Sequence, residues 1–375
     1  MIYKYLGNTS CKISVVGQGA TGAGSHAVTS WDLINQRVDT LRYGIDLGMT
    51  FIDTAESYEG GHSEEIVGRA INGIRDKVFI ASKFSPRNNS YDGVLKAIDR
   101  SLKRLKTDYI DLYQIQWPNP NIPISETMDA ISMLIETEKI RYAGVCNFTL
   151  EEIRKAESNF EKNKIVSVQA EYNLYNRDIE SDILPYCSVN GVTVIAYSPL
   201  NQGNLKSYDI GNKVLESLSN KYDVNVPQII LNWIASHNHV IILTRSMNAA
   251  HIYDNAHATD FHLETSDIET INEVFKNEPT SVLPSRIRVL NYDVDDSHTI
   301  YTKLEDAIQN SLDMIPSPMD LAGEISKGNF LKPVELRYSS DRAGEFEYEL
   351  IHGRNRYWAW VIAKGDTPIP AFIIK

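Results

Sequence analysis

The sequence predicts an α/β protein, a closed (β/α)8 barrel of parallel strands followed by a second, small α+β unit. Three observations carry this prediction. Short β-branched runs alternate with longer segments whose apolar residues recur at helical spacing, the pattern of parallel strands joined by helical crossovers. Eight such repeats fall within roughly 250 residues, which suits a closed barrel better than an open sheet. The rhythm breaks at Glu278-Pro279-Thr280, and a chain of 375 residues exceeds the size at which a single core stops growing. The expected domains are residues 1–280 and 281–375.

The strand candidates, in order, are Val15–Val16, Phe51–Ala55, Val78–Lys83, Tyr109–Gln116, Tyr142–Asn147, Ser167–Tyr172, Val192–Tyr197 and Val240–Thr244. Helices are expected between them. In Asp92–Leu105, Val94, Leu95, Ile98, Leu102 and Leu105 share one face; in Ser125–Lys139, Met128, Ile131, Leu134 and Ile135 do. Asp267–Asn277 closes the series. The structural alternative is an open doubly wound sheet, but no helix start follows the glycines of Gly17-Gln18-Gly19-Ala20-Thr21-Gly22 as its phosphate-binding turn requires.

Composition narrows the function. Hydrophobic content of 42% with 23% charged residues suits a globular protein. No apolar run approaches the ~20 residues of a membrane span. The opening Met-Ile-Tyr-Lys-Tyr lacks a signal peptide's apolar stretch, so a cytoplasmic location is expected. A net charge of -12 repels phosphate backbones, so nucleic acid is not an expected partner. Cys11, Cys146 and Cys187, odd in number and far apart, read as reduced thiols rather than a disulfide framework or a metal cluster, and no metal is expected.

Barrels of this kind place their chemistry at the carboxyl ends of the strands. Asp53, Tyr58, Lys83 and Gln116 fall at or just beyond such ends, in strands two, three and four. Asp53 and Lys83 interrupt or close apolar runs, and a buried charge of either sign needs a partner. An ammonium beside a tyrosine stabilises the phenolate and lowers the phenol pKa, which suits a proton donor to a developing alkoxide near neutral pH. Tyr58 is the candidate donor. The alternative on spacing alone is a structural Asp–Lys ion pair with a surface tyrosine.

These residues resemble the aldo-keto reductases. Phe51-Ile-Asp-Thr-Ala-Glu-Ser-Tyr58, with Gly60-Gly61-His62-Ser63-Glu64-Glu65 following, is similar to that family's second-strand signature. Ala81-Ser82-Lys83, Asp108-Tyr-Ile-Asp-Leu-Tyr113, Ile140–Phe148, Gln169-Ala-Glu-Tyr-Asn173 and Ala196-Tyr197-Ser198-Pro199-Leu200 resemble later ones, in the family's order. The resemblance implies a TIM-barrel oxidoreductase acting on a small-molecule carbonyl substrate, with a catalytic tetrad of which Asp53, Tyr58 and Lys83 match. The fourth member, normally a histidine before Trp-Pro, is here Gln116, before Trp117-Pro118. A glutamine donates an amide hydrogen bond but neither becomes a cation nor relays a proton, which leaves the acid role to Tyr58.

The resemblance also implies cofactor contacts. Asn147 and Gln169 would hold a nicotinamide carboxamide, with Cys146 where a serine is usual, and Tyr197 would stack on the ring; Ser198 and Leu200 of the same motif are carried over with them. A small buried residue is the other reading of Cys146. Arg245 and Ser246, after the eighth strand, would meet the 2′-phosphate of NADP, and Asn255 the adenine. His251 stands where the family commonly has an arginine, so NADP is favoured over NAD with NAD left open. Without the family, Arg245 reads as a solvated arginine near a helix start.

In the second unit, Met319–Lys327 and Arg356–Ala363 read as helices, and Pro333–Tyr338, Glu345–Ile351 and Ile369–Ile374 as strands. Tyr348–Ala359 runs from an apolar strand through Gly353 into a basic helix start with Arg354 and Arg356, a good phosphate site. With Phe330-Leu-Lys-Pro333-Val before it and Lys364–Pro370 after, it resembles the N-terminal domain of ParB proteins and the sulfiredoxins, which implies nucleotide or phosphate binding. No cysteine precedes the arginine as in a sulfiredoxin, and the sequence ends at Lys375 without a partition protein's helix-turn-helix. The alternative is a structural or dimerising appendage.

The residues leave two functions open. One is an NADP-dependent carbonyl reductase; the other is a slow or inactive cofactor-binding sensor whose second domain binds nucleotide or a partner.

Overall fold

The computed structural model describes residues 1–22, 31–160, 163–203, 209–275, 280–290, 301–327, 333–339 and 346–374. It divides into two compact units, the first made of Met1–Leu205 and Ile210–Phe275, the second of Lys206–Asp209 and Lys276–Lys375. The sequence landmark Glu278-Pro279, the expected helical residues 276 and 277, the segment 330–332 and the expected strand start at Glu345 lie outside the described residues.

The first unit opens with a hairpin of β1 (Tyr3–Tyr5) and β2 (Lys12–Ser14), which the sequence reading did not anticipate. It rests against the amino ends of later strands: Gly7 N donates to Thr193 Oγ1 at 2.7 Å, and Lys4 Nζ to the carbonyls of Ala235, His237 and Val240 at 2.7–2.9 Å. Eight strands then close the barrel: β3 (Val16–Gly19), β4 (Phe51–Asp53), β5 (Phe79–Phe84), β6 (Ile110–Ile115), β7 (Ile140–Cys146), β8 (Ile165–Glu171), β9 (Thr193–Tyr197) and β10 (Val240–Thr244), with β10 pairing β3. All neighbours run parallel, and the pairing of the last strand with the first rules out the open-sheet alternative. The first barrel strand lies at Val16–Gly19 rather than Val15–Val16, because Gly17 and Gly19 belong to it. A Cβ on Gly17 would sit 2.4 Å from the Phe51 ring, so only glycine lets β3 and β4 approach there.

The helices form where pattern and caps agree. Tyr91–Leu105 starts at Ser90, whose Oγ accepts the Gly93 N–H, and turns Val94, Ile98 and Leu105 into the core. Each of those burials is worth about 1.5–3 kcal/mol. Leu150–Ser158 and Val226–Ser236 both open on capping boxes, Thr149 with Glu152 and Asn225 with Gln228, which satisfy amide donors the helix leaves unpaired. Such anchored crossovers hold the strand ends in register at the barrel mouth. Among the described residues no helix is long and apolar enough to cross a membrane.

The second unit is a five-stranded mixed sheet in the order β11 (Thr280–Val282), β15 (Ile369–Ile374), β13 (Val334–Tyr338), β14 (Tyr348–His352), β12 (Ile287–Val289). Helices Leu304–Ile308, Pro318–Ser326 and Arg354–Lys364 belong to it, and Val334, Leu336, Leu350, Trp358 and Ala371 centre its core. The last helix begins at Arg354, two residues before the expected Arg356. The unpredicted β11 and β12 are three-residue strands whose partners, β15 and β14, are distant in sequence.

Candidate active site

The mouth of the barrel collects the polar strand ends. Asp53 is the last residue of β4, and Lys83 lies in the fully buried run of β5. Lys83 Nζ is 2.5 Å from Asp53 Oδ2, 3.0 Å from the Thr54 carbonyl and 3.2 Å from Tyr58 Oη. Tyr58 opens a tight turn in which Glu59 and Gly60 have φ of 53° and 64°. That turn is pinned from the far side. Glu59 pairs with Arg37 at 2.6 Å and accepts the Gly22 N–H, and Arg37 also reaches the Ala20 carbonyl at 2.6 Å. A Cβ on Gly22 would meet the Glu59 carboxylate and displace it, so glycine there lets the loop after β3 keep this contact with the turn.

The electrostatics follow from burial. Removal from water opposes the Lys83 charge, but the Asp53 carboxylate and the Tyr58 oxygen outweigh it and raise the lysine pKa, so Lys83 is an ammonium. Tyr58 corrects an expectation. Its pKa is raised, because desolvation exceeds the lowering by Lys83 and Asp53 adds to the rise. The phenolate loses more by leaving water than the Lys83 ammonium, shared with Asp53, returns to it. Tyr58 is therefore a protonated acid at neutral pH.

Gln169 of β8 joins the same centre, its Nε2 donating to Asp53 Oδ1 at 2.9 Å and its Oε1 accepting from the Cys146 thiol at 3.5 Å. Burial pushes the Cys146 pKa up to about 12, so it is a neutral donor. Gln116, just past β6, stands in a second group. Ser57 Oγ donates to Gln116 Oε1 at 2.8 Å, Asn147 Nδ2 donates to the Gln116 carbonyl at 3.2 Å, and Tyr197 Oη donates to Asn147 Oδ1 at 2.9 Å. Asn147 holds φ 61° and Ser198 φ 50°, left-handed conformations just past the ends of β7 and β9. The Ser198 carbonyl accepts from Asn173 at 3.1 Å, and the Leu200 carbonyl from Gly203 N at 2.9 Å.

The remaining candidates line the rim beyond β10. Arg245 is exposed, its Nη1 2.6 Å from the Gly22 carbonyl, and among the described residues no carboxylate pairs with it. Ser246 Oγ accepts from Asn248 N, and Asn248 caps helix Ala249–Ala256, which carries exposed His251 and buried Asn255. In the second unit, Gly353 takes φ 91° ahead of helix Arg354–Lys364. Arg354 is buried and donates to the Ile351 carbonyl at 3.0 Å, so it braces the strand–helix junction rather than facing solvent. Arg356 donates to the Pro333 carbonyl at 2.7 Å, and its guanidinium lies over Gly353.

The sequence reading missed Gln114, Ser57 and the Arg37–Glu59 clamp. Gln114 had a signal: in Tyr113-Gln-Ile-Gln116 two amides alternate with apolar residues, and period two puts both on the inner face.

A model of the aldo/keto reductase family matches residues 19–276, the barrel with its strand-end residues. The chain belongs to that family of oxidoreductases. Within it, the chain is similar to methylglyoxal reductase YeaE of Escherichia coli, 34% identical, with 70% of this chain and 91% of the relative covered. Glyoxal reductase of Bacillus subtilis is 32% identical, over 68% of this chain and 88% of the relative. A crystal structure of an aldo/keto reductase from Klebsiella pneumoniae, in complex with NADP and acetate, superposes with a TM-score of 0.65 at 33% identity, covering 71% of this chain and 93% of that one.

Proposed function

We propose that residues 1–280 reduce a small aldehyde or ketone to the alcohol, with NADPH as reductant and Tyr58 as general acid. The observation that carries this is the buried Lys83 ammonium, within hydrogen-bond reach of both Asp53 Oδ2 and Tyr58 Oη. NADPH, when bound, supplies a hydride to the carbonyl carbon. Tyr58, kept protonated by burial, gives its proton to the carbonyl oxygen, and the ammonium beside it offsets the phenolate left behind. Gln116 has its Oε1 held by Ser57, so its Nε2 is the end free to donate to the substrate oxygen. It carries no proton away, which leaves Tyr58 as the sole acid.

The rim residues fit a nicotinamide dinucleotide phosphate. Arg245 offers a guanidinium without a carboxylate partner among the described residues, beside a capped helix start, the setting a phosphate requires. Arg245 and Ser246 would hold the 2′-phosphate, His251 would add a weaker contact and Asn255 would meet the adenine. Gln169 Oε1 and the Asn147 side chain would take the nicotinamide carboxamide, Cys146 behind them, with Tyr197, Ser198 and Leu200 along the ring. Arg245 favours NADP over NAD, as does the NADP bound in the Klebsiella pneumoniae relative.

The names of the relatives favour a 1,2-dicarbonyl such as methylglyoxal or glyoxal as substrate. Purified protein is mixed with NADPH and a panel of dicarbonyl, aliphatic and aromatic aldehydes and ketones, and absorbance at the nicotinamide band is followed. Dicarbonyls head the expected ranking, and a panel that consumes no NADPH overturns the reading.

For residues 281–375 we propose a nucleotide- or phosphate-binding unit of the ParB/sulfiredoxin type. The support is the strand–Gly353–helix order of β14 and Arg354–Lys364, with Arg356 turned back over the glycine. Calorimetric titration with ATP, ADP and CTP, repeated on Arg356→Ala, tests it. Binding that the variant loses is expected, and absence of heat with all three nucleotides contradicts it.

A further inference from the structure

The barrel interior beside Lys83 is polar where packing alone calls for branched apolar side chains. Gln114 of β6 is fully buried, in register with Lys83 on one side and Gly144 on the other, and Gly144 is in register with Ser167 of β8. A Cβ on Gly144 would lie 3.1 Å from Gln114 Cγ and 2.4 Å from Ser167 Oγ, so both side chains lean over the bare glycine. Gln114 Nε2 is 3.4 Å from Asp53 Oδ1, the oxygen that also accepts from Gln169 at 2.9 Å. A carboxylate only accepts, so the amide must turn its nitrogen this way. That orientation leaves Gln114 Oε1 buried without a partner among the described residues, and Ser167 Oγ likewise. A methionine of the same size would fill the space without that unpaired acceptor.

We propose that Gln114 is a positioning residue for the reduction: together with Gln169 it holds Asp53 Oδ1, which fixes Oδ2 on Lys83 and thereby sets the ammonium against Tyr58. The inference rests on the reductase reading of the site. Without the Gln114 donor Oδ1 keeps Gln169 alone, and the carboxylate can turn toward it, drawing Lys83 from the phenol and leaving more uncompensated negative charge beside it.

Two variants and one structure test this. Gln114→Met keeps the volume and removes the donor. Its kcat should fall about tenfold, the loss expected for one hydrogen bond to a charged group, with KM, the NADPH Kd and the thermal midpoint close to wild type. Gln114→Glu places a second carboxyl against Asp53. It should work at acid pH, where that carboxyl is protonated and donates, and lose activity as it ionises, a limb the wild type lacks. A crystal structure of the Met variant should show Lys83 Nζ drawn beyond hydrogen-bond reach of Tyr58 Oη. Wild-type kcat in the Met variant, an unchanged pH profile in the Glu variant, or an undisturbed Asp53–Lys83–Tyr58 geometry in the crystal overturns the proposal. Should wild-type protein reduce no carbonyl at all, the reductase reading fails separately, and the crystal geometry alone decides the positioning role.

Discussion

Lys83 and Asp53 form a buried ion pair, Nζ to Oδ2 2.5 Å, at the point where the barrel opens. A buried pair is costly to break from one side, because the partner is left as an uncompensated charge; about 3–5 kcal/mol is typical. Lys83→Met is therefore expected to lower the denaturation midpoint markedly, and the double variant Lys83→Met, Asp53→Asn to recover part of that loss. Urea unfolding of the two variants and wild type checks the ordering.

The same pair shapes the pH dependence. The general acid must be protonated, and the Tyr58 pKa is raised by burial, so kcat/KM for reduction should stay level through neutral pH and fall only above the usual tyrosine range. The stability the pair contributes has the corresponding sign: the folded Lys83 pKa is raised, so that contribution is complete below the unfolded lysine value and is lost as pH climbs through the folded one. Initial rates and thermal midpoints across alkaline buffers check both. An activity limb near neutral pH would mean that another group carries the proton.

Arg245 sets cofactor choice in this account. Replacing it with glutamine removes a charged contact worth about 1.5–3 kcal/mol, so the Kd for NADPH should rise roughly 10- to 100-fold while that for NADH barely moves. Fluorescence titration with both nucleotides is the measurement.

Gly353→Ala is expected to destabilise the second unit by about 1–2 kcal/mol, since φ 91° is a left-handed conformation that alanine resists. The new Cβ would also lie 2.9 Å from Arg356 Nη2, displacing the guanidinium from the Pro333 carbonyl. Fluorescence of Trp358 and Trp360 in the adjoining helix reports the unfolding.

Much of this architecture was legible in the residues because barrel strands and crossover helices carry local patterns. Runs such as Val240–Thr244 and the stripe through Val94, Ile98 and Leu105 declare themselves within a few residues. The exceptions are places where the deciding contact is far away in sequence. β3 was misplaced by a residue or more because its glycines are required by Phe51 of the next strand. The hairpin β1–β2 and the short β11 and β12 depend on distant partners that no local pattern announces. At the site, Asp53, Tyr58 and Lys83 were readable as a group, but the Tyr58 pKa was not, because desolvation and the sharing of Lys83 with Asp53 exist only in the fold. Gln169 was assigned to the cofactor alone; its bond to Asp53 crosses the barrel between strands 116 residues apart in sequence.

Tyr58, set against the Lys83 ammonium, is the proposed proton donor to the carbonyl oxygen. Its most direct test is the single-turnover rate of Tyr58→Phe with NADPH and methylglyoxal, alongside the NADPH Kd of the variant. A loss of about 10²–10⁴-fold in rate with the Kd unchanged is the predicted result. A phenylalanine variant that reduces methylglyoxal at the wild-type rate would contradict it.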